Sequence, residues 1–551
     1  MQRIAPSACR TPSTELSLQH CRALSGTLSL PSAARPFYEG TAFWSSARLY
    51  DGQIAKIPVN QNSRFDILET GKTGSNRFFV VSSIDIRYVG GSVTLVISRN
   101  SRKAGWYSLI SSSHAKRKPA QMRISRIFVI VVTTMFWAPL VPSCRAQDDF
   151  EGPPISYSKS QPSNRITQLQ QQLDSGKLTL KHEAGVGYLR SLLEALQIPI
   201  DSQCLVFSKT SLQLRRISPK TPRAIYFSDD LYVGFCIAGD VLEISAVDPQ
   251  LGTVFYVLSQ TPPAAGSPTF QRQTDNCLVC HSSSRTEGVP GHLVRSLLVD
   301  TTGQPLLAAG SRNVNHMTPI AERWGGWYVT GLHGSQQHLG NLILDRDAAT
   351  EPPDNSAGLN QTDLSSRFHT ASYLSPHSDL IALMVLEHQV LVHNRIARAA
   401  FATREALHYE TSLNEALQNA PGTRLESTTR RIQSAAEKLV EALLFCNEAP
   451  LTAPLSGTSA FAKNFPAAGP RDSKGRSLRE FDMQTRMFRY PCSYLIHSEA
   501  FRSLPDEMLQ AVRTKMQTVL NSQNSDPKFA HLTDADRTAI SEILHETVDG
   551  F

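Results

Sequence analysis

The chain has 551 residues, of which 41% are hydrophobic and 8% aromatic, which is typical of a globular protein with several cores and roughly two to four domains. Its formal net charge is +7, but residues 147–551 contain 36 Lys and Arg against 42 Asp and Glu, which gives this part a net charge of −6. Because the positive excess is confined to the N-terminal part, the overall charge does not indicate a nucleic-acid partner, and we exclude that class of function.

Residues 1–121 are basic and rich in serine, with 16 Lys and Arg against 6 Asp and Glu. They show no sustained helical period, although residues 78–98 alternate like two strands around Gly90 and Gly91. A secretion signal follows this segment, so the simplest interpretation is a mis-annotated upstream or disordered extension, with translation starting at Met122. A genuine basic domain is the alternative.

Residues 122–146 have the pattern of a secretory signal peptide. Two arginines precede an apolar run over 127–141, which is short for a membrane span, and small residues precede the polar start at Gln147. Cleavage after Ala146 is predicted, and the rest of the chain is expected to be periplasmic or otherwise extracytoplasmic, with membrane contact only through the signal. A short membrane anchor and a lipoprotein signal ending at Cys144 are the alternatives.

Residues 147–270 are predicted to form a β-rich region. Short apolar or alternating runs are separated by Asp-Asp, Gly-Asp and Gly turn signals, which favour antiparallel hairpins. The predicted elements are a helix over 166–173 and strands over 204–209, 224–227, 232–237, 241–247 and 253–258.

The segment 277–281 reads Cys-Leu-Val-Cys-His, which is the C-x-x-C-H signature of c-type haem attachment. Its spacing places two thiols one helical turn apart, so that both reach the vinyl groups of one haem while the adjacent imidazole approaches the iron. The sequence therefore predicts one covalently bound haem c, with Cys277 and Cys280 as thioether residues and His281 as an axial iron ligand. Residues 271–345, rich in Gly, Ser and Thr, are assigned to this haem-attachment segment.

A zinc site and a thiol redox pair are the alternatives for the same residues. A tetrahedral zinc site needs further ligands at suitable spacing, whereas Cys446 and Cys492 each stand alone. A redox pair is expected next to a β-α-β pattern, and none leads into this motif. Export favours haem as well, because c-type haem is attached outside the cytoplasm.

Several stretches of the exported part carry a resemblance to a known family. They are LVFSKTSLQ at 205–213, PRAIYFSDDLYVG at 222–234, CLVCH at 277–281, VPGHLVRS at 289–296, RWGGWYVTG at 323–331 and CSYLIHSEAFRSLP at 492–505. From about residue 203 to its C-terminus, the chain resembles a family of exported bacterial monohaem c-type cytochromes of largely uncharacterised role. The resemblance implies haem binding and electron transfer to a redox partner protein, with the haem-binding roles on Cys277, Cys280 and His281.

The second axial position of the iron decides between a low-spin electron carrier and a site that is open to small ligands. His338 is slightly favoured because it follows 323–331, which the resemblance makes a plausible haem wall. Met317 lies in a loop as the methionine of small soluble cytochromes does, and His388 is more simply a core residue of a predicted helix. The candidates are Met317, His333, His338, His388, His292 and His316.

Arginine and aromatic side chains in the same segment have two interpretations each. The arginines could pair with haem propionates or be structural, and the aromatic residues could line the haem edge or form a core cluster. The residues concerned are Arg295, Arg312, Arg323, Trp324, Trp327 and Tyr328.

Residues 346–372 are predicted to be a linker, and residues 373–551 a mainly helical region. A period of 3.6 residues over 378–405 predicts a long helix, and the last predicted helix begins with a capping box. The stripe of the long helix contains Ile381, Val385, His388, Val392, Ile396 and Ala399; further helices are predicted over 425–445, 506–520 and 534–546, with Thr533 and Asp536 as the capping box. The expected fold class is therefore α+β, with a β-rich region, a loop-rich haem segment and a helical C-terminal half.

The predicted function is electron transfer rather than catalysis, and no catalytic residue is assigned. A peroxidase-like haem enzyme and a haem-based binding or sensing protein are the alternatives, because an exported part of roughly 400 residues exceeds the size of a minimal carrier. Cys204 with Cys236, and Cys446 with Cys492, are either disulfides or free buried thiols.

Overall fold

The computed structural model describes residues 149–345, 354–521 and 525–551, and also five strands between residues 43 and 101. The chain divides into two compact units, Met1–Phe136 and Trp137–Phe551. The signal peptide predicted over 122–146 lies outside the described residues.

Five strands are described in the first unit. The last two of these strands pair antiparallel, and Val89 at the end of one pairs with Ser92 at the start of the other. The two strands predicted around Gly90 and Gly91 are therefore confirmed. The strands are β1 (Phe43–Arg48), which pairs with β2 (Ile54–Val59), and β3 (Asn62–Thr73), β4 (Asn76–Val89) and β5 (Ser92–Ser101), which form a sheet in that order.

A six-stranded antiparallel sheet lies at the centre of the second unit, and each strand is next to its neighbour in sequence. All five strands predicted from alternation and turn signals are present. The sixth, β11, has only one apolar residue, Phe270, and was therefore not predicted. The strands are β6 (Cys204–Val206), β7 (Arg223–Phe227), β8 (Leu231–Phe235), β9 (Val241–Asp248), β10 (Gly252–Ser259) and β11 (Phe270–Gln273), followed by the pair β12 (Arg295–Ser296) and β13 (Arg312–Asn313).

Helices precede and follow the sheet, and together with the sheet they confirm the α+β class. The capping box predicted at Thr533 is present, with its hydroxyl accepting from the backbone N–H of Asp536. The described α-helices are α1 (Arg165–Asp174), α2 (Leu189–Ala195), α3 (Leu278–His281), α4 (Leu380–Leu417), α5 (Glu426–Leu443), α6 (Phe461–Ala467), α7 (Glu499–Arg502), α8 (Asp506–Leu520) and α9 (Asp534–Thr547).

The two faces of the sheet contact different helices, because successive strand side chains point to opposite sides. On one face, Tyr256 of β10 accepts a hydrogen bond from Asn164, the N-cap residue of α1. On the other face, Tyr232 of β8 lies against α4 and bonds to Gln389 and His393. The segment predicted to attach haem lies over the α4 face, with His281 against Phe255 of β10 and His292 against Ser245 of β9.

Helix α4 was predicted to be amphipathic, but its first four turns, residues 380–394, are buried on every side. The reason is that the sheet covers one side of the helix and the surrounding segments cover the others. A helix in this position is apolar all round except where polar groups find partners inside the protein. No helix among the described residues is both long and apolar enough to cross a membrane.

The described part of the predicted linker, residues 354–372, is packed into the second unit. Leu364 and Phe368 are buried, and the Asn355 side chain donates to the carbonyl oxygens of His338 and Gly340. Residues 346–353 lie outside the described part of the chain.

Candidate haem-attachment site

The CLVCH motif forms one helical turn at the protein surface. The backbone N–H groups of Cys280 and His281 donate to the carbonyl oxygen of Cys277 at 3.3 and 3.0 Å. Leu278 points into the core, whereas Val279 is 80% exposed. Neither cysteine of the motif is in a disulfide; Cys277 is half-buried and Cys280 is exposed. The turn therefore presents both thiols, three residues apart, on an accessible edge of the protein.

The hydrogen bonds of His281 define which ring nitrogen carries a lone pair. Its Nδ1 lies 2.9 Å from the carbonyl oxygen of Gly291, and the N–H of Gly291 donates back to the carbonyl of His281 at 2.8 Å. A carbonyl only accepts, so Nδ1 carries the hydrogen and Nε2 carries the lone pair. Desolvation by burial lowers the pKa of His281, which favours this neutral form. An imidazole held at one nitrogen by a carbonyl is the usual arrangement of a metal-binding histidine.

The sheet face beneath the motif supplies an apolar wall and one ion pair. The Phe255 ring of β10 lies 4.9 Å from the His281 ring between centroids. Arg223 of β7 and Glu243 of β9 form a 2.7 Å ion pair and interact electrostatically with both Cys277 and His281. Burial raises the pKa of Cys277 to about 11, so this thiol is protonated at neutral pH.

His333 and His338, two of the candidate second iron ligands, lie together with ring centroids 4.6 Å apart. The N–H of Asn360 donates to His333 Nε2 at 2.8 Å, and the N–H of Gly340 donates to His338 Nδ1 at 2.9 Å. Burial lowers the pKa of both histidines, so the rings are neutral and each carries its hydrogen on the other nitrogen. Those nitrogens, His333 Nδ1 and His338 Nε2, are buried without a described hydrogen-bond partner. A nitrogen that carries a hydrogen has no lone pair for a metal, so neither ring is oriented as an iron ligand.

The other candidates are in different surroundings, and of their ring nitrogens only His316 Nε2 is buried without a described hydrogen-bond partner. Met317 is a partly exposed surface residue. His292 uses both ring nitrogens, toward the hydroxyls of Ser245 and Thr253. His316 and His388 bond to each other in the core, with their Nδ1 atoms 3.0 Å apart. Among the described ring contacts, only His292 is linked to His281, through the Phe255 ring that touches both. The identity of the second axial ligand stays a prediction.

The three candidate propionate partners are in different environments. Arg323 is fully buried and paired with Glu387, and Arg312 is paired with Glu322 at 2.6 Å. Arg295 interacts electrostatically with Cys280, and its Nε is buried without a described partner. Arg295 is therefore the one of the three that interacts with a cysteine of the motif; its Nη2 donates to the Ser311 hydroxyl at 2.7 Å, and its Nε is uncommitted.

The aromatic residues of the 323–331 stretch are core residues with internal hydrogen bonds. Trp327 Nε1 donates to the carbonyl of Arg295, and the Tyr328 hydroxyl donates to the carbonyl of Pro219. Trp324 is held by Glu387. These contacts fit the interpretation of this stretch as a core cluster.

A buried polar centre, formed by Arg323, Trp324 and Glu387, lies between the haem-attachment segment and α4. Arg323 Nη1 and Trp324 Nε1 donate to the two carboxylate oxygens of Glu387 at 2.9 and 2.6 Å, and no side chain of the three is more than 1% exposed. The backbone of Trp324 is left-handed, with φ of 69°, a strained conformation for a bulky residue. The sequence signal for this centre is Glu387-His388-Gln389 inside an otherwise apolar run, from which only His388 was selected.

The alternative interpretations of the cysteines can be compared with the structure. All six cysteines of the second unit's described residues are free thiols, including Cys204, Cys236, Cys446 and Cys492. In the part of the chain that is described, no group of three or more His, Cys, Asp or Glu side chains is arranged to hold a metal ion. A tetrahedral zinc site at CLVCH would need such a group.

Comparison with known proteins adds no assignment, because no family model, curated protein or solved structure matches this chain. The interpretation of the site rests on the geometry of its own residues.

Proposed function

We propose that this protein is an exported c-type cytochrome that holds one haem through Cys277, Cys280 and His281 and passes electrons to a redox partner protein. The observation that carries the proposal is the state of His281. Its Nδ1 is engaged by the Gly291 carbonyl, so its Nε2 lone pair stands in the same helical turn as two free thiols. The export part of the proposal is supported by the sequence pattern of residues 122–146.

The residues of the site suit a haem with regard to both attachment and charge. Cys277 and Cys280 would form the two thioether bonds, and Nε2 of His281 would bind the iron, which supplies reversible one-electron chemistry when present. The Gly291 carbonyl fixes the orientation of the imidazole and makes its Nε2 more basic. Arg295 offers an uncommitted donor for a propionate, since guanidinium pairs well with carboxylate.

A second candidate function is a haem protein that binds a small ligand, as an enzyme or a sensor. The observation that favours it is the hydrogen-bond pattern of His333 and His338, whose non-bonded nitrogens carry hydrogens and are therefore donors. Without an oriented second ligand, the iron would retain an exchangeable position. Such a position allows peroxide or gas binding in place of simple electron transfer.

The first experiment is a set of optical spectra of the chain from Met122, made in a host with c-type haem maturation machinery. We expect a c-type pyridine haemochrome, and its loss in Cys277→Ser and Cys280→Ser. The control is Cys446→Ala, which removes a buried thiol away from the motif and is expected to keep the haem. Absence of covalent haem in the unsubstituted protein would overturn the proposal.

Carbon monoxide distinguishes the two candidate functions in the same samples. An unchanged reduced spectrum indicates two protein ligands on the iron and supports the electron carrier. A marked shift indicates an exchangeable position and supports the ligand-binding alternative. The outcome for His338→Gln then shows directly whether this residue is the second ligand.

A further inference from the structure

A groove with an excess of positive charge lies between α4 and α5. Its volume is about 710 Å³, within the range of small-molecule sites. Helix α4 contributes residues 395, 398, 399, 402 and 405, and α5 contributes residues 427, 430, 431, 434, 435 and 438. Both sets recur at intervals of three and four, so each helix turns one continuous face toward the groove.

The charges of this groove do not balance. Five cationic side chains line it, and the only acidic ones are Glu287 and Glu405. Both carboxylates are already paired, Glu287 with Arg395 and Glu405 with Arg398, at 2.9 and 2.8 Å. The remaining cations are those of Arg430, Arg431 and Lys438, all on α5.

The three remaining cations have little compensation from the described residues. Arg430 has one ion pair, at 3.6 Å, with an exposed glutamate outside the groove, and Arg431 lies over the Tyr409 ring at 5.8 Å. Lys438 has no ion-pair partner among the described residues. Three cations with so little compensation are unexpected here, because residues 147–551 as a whole have 36 basic and 42 acidic residues. All three line the groove from α5, so an anion bound there would meet three cations that have little compensation from the protein itself.

Small side chains keep the groove open. Ala399 and Ala402 on α4 and Ala435 on α5 line it between the long cationic side chains, and two serine hydroxyls add neutral donors. Alanine at these positions leaves space that larger side chains would fill. The shape therefore suits a compact ligand that enters between the helices rather than a flat protein surface.

We infer that this groove binds a small multivalent anion, of the polyphosphate or polycarboxylate class, between the paired arginines of α4 and the three cations of α5. Arg395 and Arg398 are held in place by their carboxylate partners, so they provide N–H donors at fixed positions, while the excess positive charge comes from α5. Arg430, Arg431 and Lys438 provide the mobile donors that close on the anion. The inference does not rest on the proposed function.

The test is calorimetric titration of the full chain with inorganic tripolyphosphate, at about 20 mM salt and again at about 0.5 M salt to screen the charges. We expect one saturable site that weakens strongly at high salt. In Arg431→Gln/Lys438→Gln the affinity should fall about tenfold or more, since two charge-assisted contacts are lost. The matched control is Lys177→Gln/Lys181→Gln, which removes two charges from exposed lysines outside the groove and should leave the affinity within about twofold.

A steric variant separates a built site from general charge attraction. Ala402→Leu keeps every charge but fills the groove, and it should weaken binding as much as the charge variant does. Equal affinity in all variants, or no saturable binding at low salt, overturns the inference. The inference is also overturned if poly-glutamate binds and tripolyphosphate does not displace it, which would indicate an acidic protein partner instead.

Discussion

The loop that holds His281 depends on the absence of a side chain at position 291. A Cβ at Gly291 would lie 2.3 Å from Oδ1 of Asn394, where ordinary contacts begin at 3.4 Å. Asn394 cannot give way freely, because its side chain accepts from the N–H of His292 and donates to the carbonyl of His292, both at 2.9 Å. Gly291→Ala must therefore displace either Asn394 or the loop that carries the Gly291 carbonyl.

The cost of displacing Asn394 can be worked out from its bonds. Two buried backbone groups of His292 would lose their partner, and each such loss costs about 1–3 kcal/mol, so the free energy of unfolding should fall by about 2–6 kcal/mol. Asn394→Ala should cost a similar amount. In Gly291→Ala/Asn394→Ala the clash with Asn394 is absent, while the 3.1 Å approach to Cβ of Thr286 is common to the single and the double variant, so the double variant should be no less stable than Gly291→Ala alone.

Urea unfolding of the unsubstituted protein, the two single variants and the double variant, followed by circular dichroism, measures these differences in the free energy of unfolding. Gly288→Ala is the control in the same loop, because its Cβ would meet nothing within 4 Å and only its positive φ of 73° is strained. We expect this control to cost about 1–2 kcal/mol. If the costs of Gly291→Ala and Asn394→Ala simply add in the double variant, the two residues do not act on each other and the reasoning is refuted.

Two further predictions concern buried ionisable side chains and can be checked with the same unfolding assay. Arg323→Met leaves Glu387 without its cation in the core and should lower the free energy of unfolding by about 3–5 kcal/mol. Arg323→Met/Glu387→Met should cost less than the single change, and an equal or larger cost would contradict the buried pair. Burial lowers the pKa of His393 to about 3, so its ring stays neutral in the native state but becomes protonated in the unfolded state below pH 6.5. The free energy of unfolding should therefore fall as the pH falls from 6.5 toward 3. His393→Gln should therefore gain stability relative to the unsubstituted protein by up to about 1.4 kcal/mol per pH unit below pH 6.5, and a difference that is independent of pH would argue against this titration.

Periodicity and turn signals were sufficient for most of the second unit's elements. Helix α8 has the predicted bounds, and α9 begins at the predicted capping box, because these signals are local. Strand β11 was missed, since Phe270 alone anchors it and the rest of its stability comes from pairing with β10. The burial of α4 on every side was also missed, because it depends on distant segments that meet the helix only in the folded protein.

The site could be predicted only as far as local spacing decides its chemistry. The motif residues Cys277, Cys280 and His281 follow from sequence, whereas the role of Gly291 depends on a hydrogen bond ten residues away. The same limit applies to His338. The sequence favoured His338 as the second iron ligand because it follows residues 323–331. The orientation of its Nδ1 toward the Gly340 N–H, however, is a property of the folded loop.

The central claim is tested most directly by mass spectrometry of the protein, made in a host with c-type haem maturation machinery, after denaturation and alkylation of its thiols. The tryptic peptide 273–285 contains both cysteines of the motif and no other cysteine. We predict that this peptide carries the mass of one haem and no alkyl group, while Cys204, Cys236, Cys446 and Cys492 are alkylated. A peptide 273–285 that is alkylated twice and carries no haem would contradict the account.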